Sequence, residues 1–313
     1  MLTLSPIVLF VYNRPEHTRR TLESLRDNVL ASDSELFVYS DGPRSDLDRA
    51  AVEEIRRFLP TIEGFKRITL VERESNLGLA RSVISGVTDV ITQYGRIIAL
   101  EDDLVTSKFF LRYMNEALAK YEHSDKVMHV SGYMLPVQNP EKLPDTFFYR
   151  GTSCWGWGTW KRAWDLFEPD AVKLLSAIRK RAQLKEFDVL GSMPYHNMLK
   201  EQVEGNIDSW AIRWYASVFL NNGLCLHPAY SLVNNIGNDG TGIHSGTTTA
   251  FDTDLVVKPV EYFPDVIEES AIAISSIVNF YRSIKKPLYK RIIPGLMHRV
   301  RKVFRRKRHV SLT

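Results

Sequence analysis

An α/β fold with a Rossmann-like, mostly parallel sheet flanked by helices is predicted by three features of the 313-residue sequence. From Pro6 to Asp103, short apolar runs alternate with longer stretches of helical periodicity. Each run stops at a polar or turn-forming cluster. With 44% hydrophobic and 25% charged residues, the chain also has the balance of an ordinary globular domain with a sizeable core.

The first strand is expected over Pro6 to Tyr12. Asn13-Arg14-Pro15 then turns into a helix from about Glu16 to Asn28, with Pro15 suited to its first turn. A second strand, Glu35 to Ser40, ends at Asp41-Gly42-Pro43 before helical spacing from Leu47 to Phe58. The third, Arg67 to Glu72, precedes Asn76-Leu77-Gly78-Leu79-Ala80-Arg81 and a helix through about Tyr94. A fourth, Arg96 to Leu100, stops at Glu101-Asp102-Asp103. Beyond it, Phe109 to Tyr121 reads as an amphipathic helix and Lys126 to Ser131 as a strand. Helices are expected over Lys161 to Phe167, within Ala171 to Phe187 and over Asp208 to Leu220, and a short strand over Leu224 to His227. Asn234 to Gly246 is rich in Gly and Asn and reads as a mobile loop. The expected division is a first half, 1–103, a second half, 104–281, and a tail, 282–313.

Charge separates the tail from the body. The net charge of +4 hides a segment, Arg282 to Thr313, with 12 Lys or Arg and no acidic residue, which leaves 29 basic against 37 acidic residues before it. Within it Ile292, Ile293, Leu296, Met297, Val300, Val303 and Phe304 recur at helical spacing, the pattern of a basic amphipathic helix on anionic lipid. Nucleic acid is the rival partner, disfavoured because no nucleic-acid module is recognisable elsewhere. The early apolar run Ile7 to Val11 is far shorter than the roughly 20 residues that cross a bilayer. Only Cys154 and Cys225 are present, which suits a reducing compartment. The expected location is cytoplasmic, peripheral on the inner face of a membrane through the tail.

In parallel α/β sheets ligands collect beyond the carboxyl ends of the strands. Arg14, Asp41, Asn76 and the acidic triplet Glu101-Asp102-Asp103 all fall at those ends. Adjacent carboxylates repel unless a cation or donors satisfy them, and hard oxygen ligands suit Mn²⁺ or Mg²⁺. The bland alternative is a solvated acidic turn. A dinucleotide-binding reading is weakened because Tyr12-Asn13-Arg14-Pro15 lacks the glycines needed for close approach of a pyrophosphate.

The ordered set Val8-Leu9-Phe10-Val11-Tyr12-Asn13-Arg14, Ser40-Asp41-Gly42, Asn76-Leu77-Gly78-Leu79-Ala80, Ile97 to Leu104, the block Ser153 to Trp160 and Asp208-Ser209-Trp210 resembles the inverting GT-A glycosyltransferases. Within them it resembles the N-acetylglucosaminyltransferase I-like and family 2-like group and its bacterial relatives. The resemblance implies a GT-A fold and transfer of a sugar from a nucleotide diphosphate donor, a UDP-sugar, to an acceptor hydroxyl with inversion. It implies Asp103 as the metal-bridging carboxylate, with Asp102 or Glu101 on ribose or sugar, Asp41 on the base and Arg14 near the phosphates. Asn76 and Arg81 would close the nucleotide pocket, and Trp155 or Trp157 would line the donor sugar and acceptor, in preference to Trp160. His244, in the Gly-rich loop, would approach the metal or diphosphate.

Inversion needs a base opposite the leaving group. Asp208 is the candidate, because Asn206-Ile207-Asp208-Ser209-Trp210 resembles the family's segment around its catalytic carboxylate, with a helix N-cap as its structural alternative; Asp165, Asp170, Glu201 and Glu204 match less well. The expected acceptor is a glycan or lipid-linked glycan of the cell envelope or a capsule. Two rival functions differ in class. Nucleotidyl transfer onto a sugar phosphate is disfavoured, because the glycine-rich, Arg-containing loop such enzymes place near the N-terminus is absent. A non-catalytic subunit that binds sugar nucleotide or glycan would bind donor and metal without turnover.

Overall fold

The computed structural model describes residues 3–240 and 247–284. Its first part alternates strand and helix: β1 (Ile7–Val11), α1 (Pro15–Arg26), β2 (Glu35–Ser40), α2 (Asp46–Phe58), β3 (Arg67–Glu72), α3 (Leu79–Tyr94) and β4 (Arg96–Glu101). A short strand, β5 (Leu104–Thr106), follows the acidic triplet. Then come α4 (Phe110–Lys120), β6 (Val127–Ser131), β7 (Thr146–Tyr149) and β8 (Trp157–Trp160). Helices α5 (Lys161–Trp164), α6 (Ala171–Lys180), α7 (Leu184–Phe187), α8 (Tyr195–Val203) and α9 (Trp210–Leu220) lead to β9 (Leu224–Pro228), β10 (Val233–Asn235) and α10 (Ala271–Ile284).

Eight strands form one sheet in the order β3-β2-β1-β4-β8-β6-β9-β7. The pairs β3/β2, β2/β1, β1/β4 and β6/β9 are parallel, while β8 runs antiparallel to both β4 and β6 and β7 antiparallel to β9. Strand β1 is buried throughout and feeds two cores by alternation. Ile7, Leu9 and Val11 face a layer with Leu22 and Leu25 of α1, Ile55 of α2 and the apolar side of α4. Val8 and Phe10 face the opposite layer, with Val83, Val87 and Val90 of α3 and Trp210, Trp214 and Val218 of α9. Each such aliphatic side chain contributes roughly 2 kcal/mol on burial, so a one-residue slip of β1 would exchange both cores at once.

Several expectations change here. The Trp-rich block, from which Trp155 or Trp157 is expected to line the sugar site, becomes β8 from Trp157 onward, a central strand. Trp157 is 1% exposed and packs on Trp210 at 5.1 Å and on His129 at 5.5 Å, so it is a core residue and does not line a pocket. Trp160 is buried as well and donates through Nε1 to Leu118 O. Helix α9 begins at Trp210 rather than Asp208, because Ser209 is its cap and accepts from the Ile212 N–H. The loop expected from Asn234 begins instead as β10, paired antiparallel with β5. His244 and nearly all of the basic tail lie outside the described residues.

Candidate active site

The triplet sits where β4 ends, and the fold fixes it from three directions. Thr21, on the buried side of α1, donates to Asp102 O at 2.8 Å and accepts from the Leu104 N–H at 3.1 Å. The Ile236 N–H, just past β10, donates to Asp103 O at 2.9 Å. Strand β5 then locks the chain beyond the triplet against β10. The carboxylates are therefore held on a frame with little freedom of its own.

Arg14 joins the end of β1 to this frame. Its Nη2 lies 2.5 Å from Asp102 Oδ1 and 2.9 Å from Asp103 Oδ2. Burial opposes the guanidinium charge, yet the Asp102 and Asp103 carboxylates hold its proton more tightly than usual. Asp102 Oδ2 also accepts from the Tyr12 N–H at 3.3 Å. Burial raises the Asp102 carboxyl even so, with Arg14 working against the shift and Asp103 adding to it. Glu101 is pushed up to about 8, by burial first and then by the Asp103 and Asp102 charges, while a hydrogen bond from Trp210 favours its ionised form.

One polar atom in this cluster lacks a partner. Asp103 Oδ1 is buried and accepts no hydrogen bond within the described residues, although its other oxygen meets Arg14. A buried carboxylate oxygen without a donor is costly, and a cation resolves it. Among the described residues, no group of three or more His, Cys, Asp or Glu is arranged to hold a metal by protein ligands alone. A small hard cation does not require that, since Mg²⁺-like ions are commonly held by one or two carboxylates plus substrate phosphates. Asp103 thus fits a divalent ion that arrives with a diphosphate.

Gly237 forms the wall over this atom pair. A Cβ there would stand 2.1 Å from Asp103 Oδ2 and 2.7 Å from Arg14 Nη1, so only glycine lets the loop after β10 close on the acidic centre. Farther along, His17 Nε2 of α1 lies 3.2 Å from Asp239 Oδ2.

Asp41 stands at the end of β2, and its carboxylate holds the turn before α3. Its oxygens accept from the N–H groups of Gly42, Leu77 and Gly78 at 2.9–3.0 Å and from Asn76 Nδ2 at 3.1 Å. Four donors match the capacity of a carboxylate. Asp41 and Asn76 therefore frame one surface at the sheet edge, while Arg81 is exposed in the first turn of α3.

Asp208 precedes the cap of α9. Its side chain is 63% exposed and pairs with Arg213 at 2.7 Å. Two residues on, Trp210 bonds to Glu101, so this helix start abuts the triplet. Trp155 is half-buried, edge-to-face with Tyr133 at 4.5 Å and with Phe251 at 6.1 Å. Its neighbour Cys154 has its thiol raised by burial and by the charges of Glu101 and Asp103.

The structure thus brings together Arg14, Glu101, Asp102 and Asp103 and places Asp41 and Asn76 in a neighbouring frame, whereas Trp155 and Asp208 are tied to the triplet only through their chain neighbours Cys154 and Trp210. Thr21, Trp210 and Gly237 belong to the centre without having been singled out for it. Thr21 left a faint signal, a polar residue in the apolar stripe of α1. Gly237 left only the Gly-rich character of its loop.

Residues 7–159 match the family model described as glycosyl transferase family 2. No curated protein matches the chain. Of the solved structures, 138 chains match. One is TarS of S. aureus, 12% identical with a TM-score of 0.31, covering 44% of this chain, which spans only 23% of TarS. Another is the mannosyltransferase PcManGT from Pyrobaculum calidifontis in complex with GDP-Man and Mn²⁺, 12% identical with a TM-score of 0.37, covering 70% of this chain and 72% of that one. Apo mouse xyloside xylosyltransferase 1 is 12% identical with a TM-score of 0.36, covering 69% of this chain and 81% of that one.

Proposed function

We propose that residues 7–159, which match the glycosyl transferase family 2 model, form a glycosyltransferase domain, and that the chain transfers a sugar from a nucleotide diphosphate donor to an acceptor hydroxyl with inversion. The observation that carries the reading is the pairing of Arg14 with an acidic centre whose Asp103 Oδ1 is buried and unpartnered. A diphosphate needs both signs of charge at once: a fixed cation against its oxygens, and carboxylates to seat the divalent ion it carries.

In this reading Asp103 holds Mn²⁺ or Mg²⁺, with Asp102 tying Arg14 in place beside the phosphates. Such an ion, when bound, neutralises charge on the departing diphosphate. Asp41 fixes the Asn76–Gly78 turn against which the nucleoside lies, and Glu101 faces the ribose or sugar. The resemblance favours a uracil base. Asp208 accepts the proton of the acceptor hydroxyl as its oxygen bonds to the anomeric carbon and the bond from that carbon to the diphosphate breaks. Trp155 offers an aromatic face to the sugar. The halves at 1–103 and 104–281 then divide donor from acceptor contacts.

The basic segment 282–313 supports an anionic membrane as the working surface and hence a lipid-linked or envelope glycan as acceptor. Among the described residues no helix is long and apolar enough to cross a membrane.

Calorimetric titration with UDP, GDP, CDP and dTDP, each with and without Mn²⁺, tests the donor site. One nucleotide is expected to bind in a metal-dependent manner, and Asp103→Asn is expected to weaken it by at least about 10-fold, or 1.4 kcal/mol. Binding of none of the four in the presence of metal would overturn the proposal.

A further inference from the structure

Two buried histidines behind the site have no role in the reading above. His129 lies in β6 and His227 in β9, which are neighbouring parallel strands, and both rings are sealed from solvent at 0% and 2% exposure. They grip the same short connection between β7 and β8. His129 Nε2 lies 3.1 Å from Ser153 O, and His227 Nε2 lies 2.9 Å from Gly151 O. A carbonyl only accepts, so a hydrogen bond to either of these oxygens requires the ring hydrogen on Nε2.

For His129 the tautomer is fixed independently. Trp214 Nε1, which can only donate, lies 3.1 Å from His129 Nδ1. That nitrogen must therefore accept, and the ring is neutral with its one N–H aimed at Ser153. Stacking on Trp157 at 5.5 Å and 10° sets the ring plane. For His227 the second nitrogen faces Tyr133 O at 3.3 Å, so the shorter contact to Gly151 takes the N–H. Burial depresses both rings, to about 3 for His129 and about 4 for His227, consistent with neutral imidazoles.

The gripped segment serves the site directly. Immediately after Ser153 come Cys154, which feels the Glu101 and Asp103 charges, and Trp155. The segment rejoins the sheet at Gly156, whose φ of +65° and carbonyl bond from the Gly132 N–H at 2.7 Å complete the turn. At the other end of the relay, Trp214 belongs to α9, which opens with the Glu101-bonded Trp210 just after Asp208. One line of hydrogen bonds therefore runs from α9 through His129 to the Trp155 segment. Burying imidazoles in a core costs free energy unless their polar atoms are used, and here both nitrogens of His129 and Nε2 of His227 are paired.

We propose that His129 and His227 are positioning residues for sugar transfer, a two-histidine clamp that fixes the 151–155 segment and so holds Trp155 in place. The proposal rests on the reading of Trp155 as a pocket residue.

The side chains of His129→Gln and His129→Asn separate the two ends of the relay. The Gln amide reaches the position of Nε2 and can still donate to Ser153 O, whereas the Asn amide stops near Nδ1 and cannot. Nucleoside diphosphate release from UDP-, GDP-, CDP- and dTDP-glucose reads kcat, and hydrogen exchange of the 151–156 amides reads the clamp on its own. His129→Asn is expected to lower kcat about 100-fold, the effect of a misplacement of about 1 Å, with nucleotide affinity unchanged. Exchange in the segment should rise about 10-fold while the β1 amides stay protected. His129→Gln should stay within about 3-fold of wild type in both readouts. Equal losses in the two variants, or an Asn variant with wild-type kcat, would overturn the proposal. Absence of turnover by wild type would sink the transfer reading and the catalytic use of the clamp together, while exchange still judges the clamp. If His129→Asn fails to fold, the ¹⁵N spectrum of the wild-type His129 imidazole decides: a neutral Nε2–H ring at pH 7 is expected, and an Nδ1–H tautomer or an imidazolium there would refute the clamp.

Discussion

Asp102 and Asp208 both sit beside an arginine, and their surroundings give them opposite uses. Asp102 is 4% exposed and locked by Arg14 and a backbone N–H, so it can orient a neighbour but cannot move toward a substrate. Asp208 is largely exposed and meets Arg213 through one oxygen, at the start of a helix that touches Glu101. A proton acceptor needs that access. Asp208→Asn preserves an oxygen for Arg213 while removing the basic site, so kcat for transfer is expected to fall by about 10²–10⁴ with nucleotide affinity unchanged. Steady-state kinetics beside calorimetry checks it, and an unaltered kcat would remove Asp208 from the reaction. The two tryptophans of the same block show why residue identity alone is an incomplete guide. Trp155 and Trp157 are separated by one glycine and look alike in sequence, yet the strand begins between them and sends the second ring into the core.

At the scale of elements, the alternating half of the chain was legible because each strand is a short apolar run bounded by turn residues and each helix an amphipathic stretch. Glu35–Ser40 and Arg67–Glu72 match the expected limits. Strand β8 was not legible. Its Trp-Gly-Thr-Trp sequence has neither a β-branched run nor alternation, and it becomes a strand because β4 and β6 offer antiparallel edges to both of its sides. Helix α10 gave an apolar pattern that drew no assignment, although Ala273, Ile277 and Tyr281 are buried. The ribbon of β5 and β10 joins residues far apart in sequence, and such a pairing leaves no local trace. Its consequence is Gly237, carried over the acidic centre. Gly237→Ala must displace either the Asp103 carboxylate or the loop, given the 2.1 Å approach. Metal-dependent nucleotide binding is therefore expected to weaken by about 10-fold, or 1.4 kcal/mol, with the melting midpoint shifted by no more than a few degrees. A variant that binds like wild type would show that the loop does not close on Asp103 in solution.

At the scale of the molecule, the sheet runs without a break across the expected boundary at residue 103, since β4 on one side of it pairs with β8 on the other. The segments before and after residue 103 therefore share both cores, and buried titratable groups in either segment act on the stability of the whole. His129 and His227 stay neutral in the fold down to about 3 and about 4, whereas in the unfolded chain a histidine protonates near 6.5. Between those limits the unfolded state binds more protons, so this contribution is complete above about 6.5 and is lost as pH falls. Each ring removes about 1.4 kcal/mol per pH unit across the window. Glu101 acts with the opposite sign: the fold keeps it protonated up to about 8, while the unfolded chain ionises it near 4.3. Its contribution is present at low pH and lost as pH rises. Comparison of two variants cancels Glu101, because both retain it. Urea unfolding of metal-free wild type and His129→Gln at pH 7, 6, 5 and 4 is therefore the measurement. Below about pH 6 the stability of the variant is expected to depend on pH less steeply than that of wild type by about 1.4 kcal/mol per unit. Parallel curves would mean that the His129 ring takes up a proton in the fold as readily as in the unfolded chain, and so does not receive a hydrogen bond from Trp214.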